Sequence, residues 1–385
     1  MNRKISEIQV LRALAVLMVI AHHVYMNLIT WHSSLLEKID IYFGGNAGVD
    51  LFFVISGFVV AQGLLANLKS NKQHQLTLLE FWIKRVFRII PSAWFWLLAT
   101  LLLAIFFNQS GAFGSVQSAV EGGLAAVLQV ANVRFSDCFL QFECGPNFVY
   151  WSLSLEEQFY LVFPVLALLS KRRLPLVLLL FIFSQLCIPW LFLPTTFRMT
   201  GFALGVLMAC YVASDRYRSL EPTALQKHEW LRRVTVVLLL GLLCAVTANG
   251  AQAVTRNFGF NLVAFLSAAM VFIASFDRQY ILRNGWLKQL LIRIGDRSYA
   301  LYLTHIPAFF ATRELFHRLA PDLANGPTAM LAYLGCAFAL TFAFSEFSYR
   351  LIEVPMQRRG VEWLKMRKQQ EFPPTDGINH AQQTI

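Results

Sequence analysis

Charge is what this sequence has least of. Only 14% of its 385 residues are Asp, Glu, Lys or Arg, while 57% are hydrophobic. A soluble domain carries about 25% charged residues. That excludes an ordinary soluble enzyme and indicates an integral membrane protein. Acids are the scarcer sign: 22 Asp and Glu stand against 33 Lys and Arg, a net charge of +11. In a soluble protein this balance would suggest nucleic acid. Here the basic residues fall in loops, where they act as topology signals, and no nucleic-acid partner is expected. Cys/His spacing of the zinc type is absent, and no metal is expected. No Gly-rich phosphate loop follows a strand pattern. No cleavable signal peptide is read, because Arg12 interrupts the first apolar run. Neither a short repeat nor an appended soluble domain is recognised. The stretch Gln369 to Ile385 is polar, and its end is expected to be disordered.

Long apolar runs are what the sequence does have. Segments that can span lie near residues 8–30, 47–68, 89–108, 149–170, 174–193, 197–214, 234–250, 258–276, 298–315 and 328–349. The expected fold is all-α: a polytopic membrane helix bundle of about ten helices. With the N-terminus inside, 26 of the 33 Lys and Arg fall on inner segments and six on the outer side. Arg12 is the one left over. The positive-inside rule therefore places both termini in the cytoplasm. Residues 119–134 are apolar but short, and a full span there would invert every later loop. They are expected to form a re-entrant or interfacial helix on the outer side. Cys138 and Cys144 then face an oxidising compartment, as a disulfide or as two free thiols. Cys187, Cys210, Cys244 and Cys336 lie in apolar segments and read as packing residues.

Ionisable groups inside spans are costly and mark functional sites. Arg12 and His23 share the first span. Eleven helical steps are about 1100°, so the two lie about 20° apart on one face, with a rise of about 16 Å between them. His23 is therefore a candidate for chemistry, against the plainer alternative of a hydrogen-bonded structural histidine. His22 points about 100° away. In Trp151 to Tyr160, Glu156 and Glu157 cannot both face lipid, and one must turn to a polar interior. Either also fits as an acid at a helix N-terminus. Asp50 lies near the outer end of the second span, and Ser56 and Gly57 there favour close helix packing. The segment Phe81 to Pro91 is expected to be an inner loop. Its Arg85 and Arg88, at i and i+3, are suited to phosphate, or simply anchor the loop. His305 reads as a histidine hydrogen-bonded within the ninth span, and Glu346, Arg350, Glu353 and Pro355 close the tenth.

Taken in order, Arg12 to His23, Asp50 to Phe58, Arg85 to Pro91, Trp151 to Tyr160, Tyr299 to His305 and Glu353 to Pro355 resemble the acyltransferase-3 family of membrane-bound acyltransferases. The resemblance implies an O-acyltransferase with residues 1–360 as the transmembrane acyltransferase domain and 361–385 as a cytoplasmic tail. It implies transfer of an acyl group, usually acetyl from cytoplasmic acetyl-CoA, to a hydroxyl of a cell-surface polysaccharide, lipopolysaccharide or lipid-linked precursor. It implies a multi-pass protein of the inner (plasma) membrane, with lipid around it and a glycan or other hydroxyl-bearing acceptor. In that pattern His23 is catalytic, Arg12, Arg85 and Arg88 bind the donor, and the motif aligns on Glu156 rather than Glu157. Glu156 is expected to lie near His23 at similar membrane depth. Some relatives carry an SGNH-hydrolase-like domain outside the membrane. The sequence here runs only 32 residues past Glu353, so it is expected to act alone or to pass its acyl group to a separate extracytoplasmic protein.

On composition alone, a proton-coupled transporter or lipid-linked sugar flippase also fits buried His, Glu and Arg. The paired hydrophobic repeats that would favour it are not seen. A purely structural scaffold leaves the buried ionisable groups unexplained.

Overall fold

The structure is a computed structural model. It describes residues 4–70, 73–139, 141–187, 197–248, 259–321 and 329–371. Arg3, Lys72 and Arg256 of the charge count, and the end of the polar tail, lie outside them. The described residues are helical and contain no strand, apart from an isolated bridge between Tyr25 and Ile29.

In chain order the helices are α1 (Ser6–His23), α2 (Ser34–Tyr42), α3 (Ala47–Ser70), α4 (His74–Phe106), α5 (Val116–Val127), α6 (Ala131–Cys138), α7 (Tyr150–Ser170) and α8 (Leu174–Cys187). They continue as α9 (Thr200–Tyr211), α10 (Asp215–Ser219), α11 (Ala224–Lys227), α12 (Glu229–Thr247), α13 (Gly259–Ser275), α14 (Trp286–Asp296), α15 (Ser298–Leu319), α16 (Met330–Phe347) and α17 (Val354–Glu371). π-helical turns follow α1 (Val24–Leu28) and α16 (Ser348–Glu353). Among the described residues, five helices are long and apolar enough to cross a membrane: Ser6–His23, Ala47–Ser70, His74–Phe106, Glu229–Thr247 and the run Met330–Arg367. Each segment expected to span holds a helix, although Thr200–Tyr211 and Gly259–Ser275 are shorter than a full crossing.

One expectation is corrected. The segment Phe81 to Pro91 is not a loop but part of the continuous helix α4. Its cations made it look like a surface connection. Phe81 and Ile89 are nevertheless buried at helical spacing, so packing carries the helix through the charged stretch. Pro91 sits inside it, as membrane helices allow.

The stretch 119–134 forms no span. α5 and α6, of 12 and 8 residues, are each shorter than the ~20 residues a crossing needs. They lie against the first half of α7: Gln158 Nε2 donates to the Gln129 carbonyl at 2.7 Å and to Asn132 Oδ1 at 3.0 Å. Cys138 and Cys144 are joined in a disulfide.

At the centre, α3 packs along α9 and against α1. The α3–α9 approach depends on glycine. A Cβ at Gly57 would strike the backbone of Phe202, and one at Gly205 would strike the Val54 carbonyl. The base of α1 is fixed by its own acid: Glu7 is buried and accepts from the amides of Ile281 at 2.7 Å and Leu282 at 3.3 Å. At the far end of α15, buried Glu314 accepts from the amides of Gln109 (2.8 Å) and Ser110 (2.7 Å) and from Arg318 Nε (2.6 Å). These ties hold α1 and α15, the helices that carry His23 and His305, in fixed register with their neighbours.

Candidate active site

A cavity of about 110 Å³ opens between α1, α3, α4, α7 and α15. Arg12 reaches it from α1, Arg85 and Arg88 from α4, Glu156 and Tyr160 from α7, and Tyr299 and Tyr302 from α15. The sequence-expected donor-binding residues, together with Glu156, thus converge on one space.

Local structure explains the convergence. Glu156 and Tyr160 are four apart on α7 and share a face. Glu156 Oε1 accepts from Ser56 Oγ at 2.6 Å and from the Tyr160 hydroxyl. Ser56 Oγ and Tyr160 Oη are themselves 2.6 Å apart. Ser56, read as a packing residue, is therefore a polar contact of the cavity's carboxylate. The Tyr160 ring lies 5.2 Å from the Arg85 guanidinium carbon, and Phe81 lies 5.1 Å from it, so two aromatic faces hold this cation. Trp82 Nε1 donates to the Tyr160 carbonyl at 3.0 Å and clamps α4 to α7. The Tyr299 hydroxyl donates to the Ile89 carbonyl at 2.8 Å.

The cations are the unusual part. Among the described residues, Arg12, Arg85 and Arg88 have no ion-pair partner within 4.0 Å. Arg12 Nε and Arg85 Nε are buried with no hydrogen-bond partner. Buried donors are almost always satisfied, so these two point to an anion supplied from outside the chain. Glu353, also buried, bonds Gln357 through one oxygen at 3.1 Å, while its other oxygen has no partner.

His23 lies elsewhere. It ends α1, just before the π turn, and does not line the cavity. Its Nδ1 is 3.1 Å from Nε2 of fully buried His305, whose Nδ1 is 2.7 Å from the Tyr302 carbonyl. Phe148 meets the His23 ring edge-on at 5.5 Å. The expected His23–Glu156 pairing is therefore corrected. Glu156 is engaged with Ser56 and Tyr160 beside the arginines, and the imidazole's polar partner is another imidazole. Glu156 lines the cavity with Arg12, which lies eleven residues before His23 on α1, so position along a single span was a poor guide to which groups meet. Tyr302 stands between the two regions. Its ring lines the cavity, packs 5.7 Å from the His305 ring, and its hydroxyl bonds Ser152 at 2.6 Å and the Val149 carbonyl at 3.0 Å. Sequence reasoning missed the His23–His305 contact, although Tyr302 and His305, three apart, already share a helix face.

Asp50 is held by Arg198, which donates Nε to Oδ1 at 2.7 Å and a second N–H to Oδ2, with both residues buried. It takes no part in the cavity. No group of three or more His, Cys, Asp or Glu is placed to hold a metal ion among the described residues.

A bundle with buried cations beside a polar cavity, and an imidazole pair next to it, has the parts of a membrane-embedded group-transfer site. Comparison assigns the family. The acyltransferase-3 profile, described as an acyltransferase domain, matches residues 5–346, and the chain belongs to that family. It is 27% identical over 382 residues to peptidoglycan O-acetyltransferase OatA of Listeria monocytogenes, covering 93% of this chain and 57% of that protein. It is 28% identical over 378 residues to O-acetyltransferase OatA of Staphylococcus aureus, covering 91% of this chain and 57% of that protein. The chain thus spans little more than half the length of these curated relatives. No solved structure matches it.

Proposed function

We propose that the chain is a membrane O-acetyltransferase domain that moves acetyl from acetyl-CoA on the cytoplasmic side to a hydroxyl of a cell-surface polysaccharide. The observation that carries this reading is the set of three unpaired guanidiniums, two with buried unpartnered Nε donors, beside an imidazole pair. Guanidinium forks suit the phosphates of a CoA head, and the flexible arm reaches past the cavity toward the imidazoles. Arg12, Arg85 and Arg88 bind the donor. Glu156, through Ser56 and Tyr160, holds the ring beneath Arg85. His23 takes the proton from the acceptor hydroxyl. The oxygen forms a bond to the acyl carbon, the carbon–sulfur bond breaks, and the proton passes from His23 to the departing thiolate. The acceptor class follows the relatives, one of which is named for peptidoglycan. The reading includes about ten spans with both termini in the cytoplasm of an inner membrane.

The test is acetyl transfer from labelled acetyl-CoA by the full chain in nanodiscs, with a glycan carrying free hydroxyls. Wild type should bind acetyl-CoA and release CoA only with acceptor present. His23→Ala should bind donor normally and lose turnover by about 10²–10⁴-fold, the usual worth of a general base. No donor binding would refute the reading. Full turnover by His23→Ala would refute the role of His23.

A further inference from the structure

The contacts of His305 fix more than its position. A carbonyl oxygen only accepts hydrogen bonds, and the Tyr302 carbonyl lies 2.7 Å from His305 Nδ1. The proton of His305 is therefore on Nδ1. An imidazolium in a fully buried site is costly without a carboxylate partner. Among the described residues, no carboxylate is hydrogen-bonded to either ring. Both rings are taken as neutral, with one N–H each. His305 Nε2 is then a bare lone pair, and it faces His23 Nδ1 at 3.1 Å. Only one arrangement makes that contact attractive: His23 carries its proton on Nδ1 and donates it to His305. His23 Nε2 is left unprotonated.

We infer that His305 is a positioning residue, which relays the direction of the Tyr302 carbonyl through two imidazoles and holds His23 in the tautomer whose Nε2 can accept a proton. The inference rests on the reading of His23 as the base, and it deepens that reading. Triad enzymes use a carboxylate for the same task, to set which nitrogen of a histidine is free. Here a backbone carbonyl does it at one remove, with no buried charge. The same contacts give the Tyr302 side chain a place in the device. Its hydroxyl is tied to Ser152 and the Val149 carbonyl, which fixes the residue whose carbonyl starts the relay. A ring turned the other way would present an N–H to His23 and force its proton onto Nε2.

The test uses the full chain in nanodiscs with ¹⁵N-labelled histidine, the His23 signals being assigned by difference against His23→Gln. A bare and a protonated ring nitrogen differ strongly in ¹⁵N shift. Wild type should show His23 with Nδ1 protonated and Nε2 bare. His305→Leu removes the acceptor, and His305→Gln keeps a side-chain oxygen that can accept from Nδ1–H. Thermal melting of each variant reports on folding. In His305→Leu the His23 signals should shift to a form protonated chiefly on Nε2. Its kcat should fall about 100-fold, with KM for acetyl-CoA within about twofold, as expected for a base present in the wrong form. His305→Gln should restore the Nδ1–H signal and bring kcat to within about tenfold of wild type. The inference is overturned if wild-type His23 carries its proton on Nε2, or if His305→Leu keeps the wild-type His23 spectrum. Equal kcat losses in the Gln and Leu variants would also overturn it, since that is what a packing role predicts. Turnover by His23→Gln would refute His23 as the base, a result separate from the spectrum, which reports on the imidazole pair itself.

Discussion

Two groups of arginine in this bundle meet opposite treatment. Arg198 is buried and forked onto Asp50 by two hydrogen bonds, with the Phe260 ring 3.8 Å from its guanidinium carbon. Arg297 is likewise forked onto Glu346, at 2.5 and 3.0 Å. Arg12, Arg85 and Arg88 converge on one cavity with a single acid on its wall, and that acid is engaged with hydroxyls. The first kind of arginine is complete within the chain. The second has no ion-pair partner among the described residues. A cation whose charge the chain itself neutralises maintains the fold, and one left unneutralised near a cavity is a candidate ligand contact.

The comparison breaks most visibly if the paired arginine is removed. Arg198→Met leaves the Asp50 carboxylate buried and alone. Losing one partner of a buried pair costs about 3–5 kcal/mol, so the variant should melt at a markedly lower temperature, with normal donor affinity in the fraction that stays folded. Normal melting would show that the pair is dispensable. Arg85→Met should do the reverse. It removes a cation with aromatic contacts but no internal ion-pair partner, so melting should change less than in Arg198→Met. Acetyl-CoA affinity should fall about 10- to 100-fold, the worth of one charge-assisted contact. Arg85→Lys keeps charge without the fork and should recover only part of that loss. If Arg85→Met destabilised the protein as strongly as Arg198→Met, the distinction between the two groups would fail.

Much of this contrast was legible in the sequence, but unevenly. The helical segments, the short stretch 119–134 and the cations at i and i+3 follow from periodicity and length, which are local. The disulfide was one of two readings left open by a polar outer loop. The α4 helix was misread between Phe81 and Pro91 because charge density suggested a loop, whereas the burial of Phe81 and Ile89 decides it. Depth read along single spans put Glu156 level with His23, whereas Glu156 shares its cavity with Arg12, eleven residues earlier on α1. Which helix faces which is a property of packing, and no span reports it alone. So His305 was assigned to the bundle but not to His23, and Ser56 to packing rather than to Glu156. Both contacts join residues more than ninety positions apart in the chain.

The smallest expected effect is also the one that best separates two roles for Glu156. If Glu156 stabilised a charged His23, Glu156→Gln would lower turnover about 100-fold and leave donor binding unchanged. The geometry argues otherwise. The carboxylate touches Ser56 and Tyr160, and the nearby cations are those proposed to bind the donor. A glutamine at this position still presents an oxygen to both hydroxyls, so the Tyr160 ring should stay beneath Arg85 and stability should change by about 1 kcal/mol or less. What does change is the cavity's charge. With the acid neutralised, an anionic ligand meets three guanidiniums with one competing carboxylate fewer on the cavity wall. At an effective dielectric near 20 this is worth about 1 kcal/mol at the distances across such a cavity. Acetyl-CoA should therefore bind two- to fivefold tighter, by about that amount of free energy, with turnover at saturation within about threefold of wild type. Glu156→Ala, which loses the oxygen as well, should bind the donor more weakly than Glu156→Gln. Isothermal titration and saturation kinetics on the two variants distinguish the roles. A large fall in saturated turnover for Glu156→Gln would return the carboxylate to the acyl-transfer step and refute its assignment to the donor cavity.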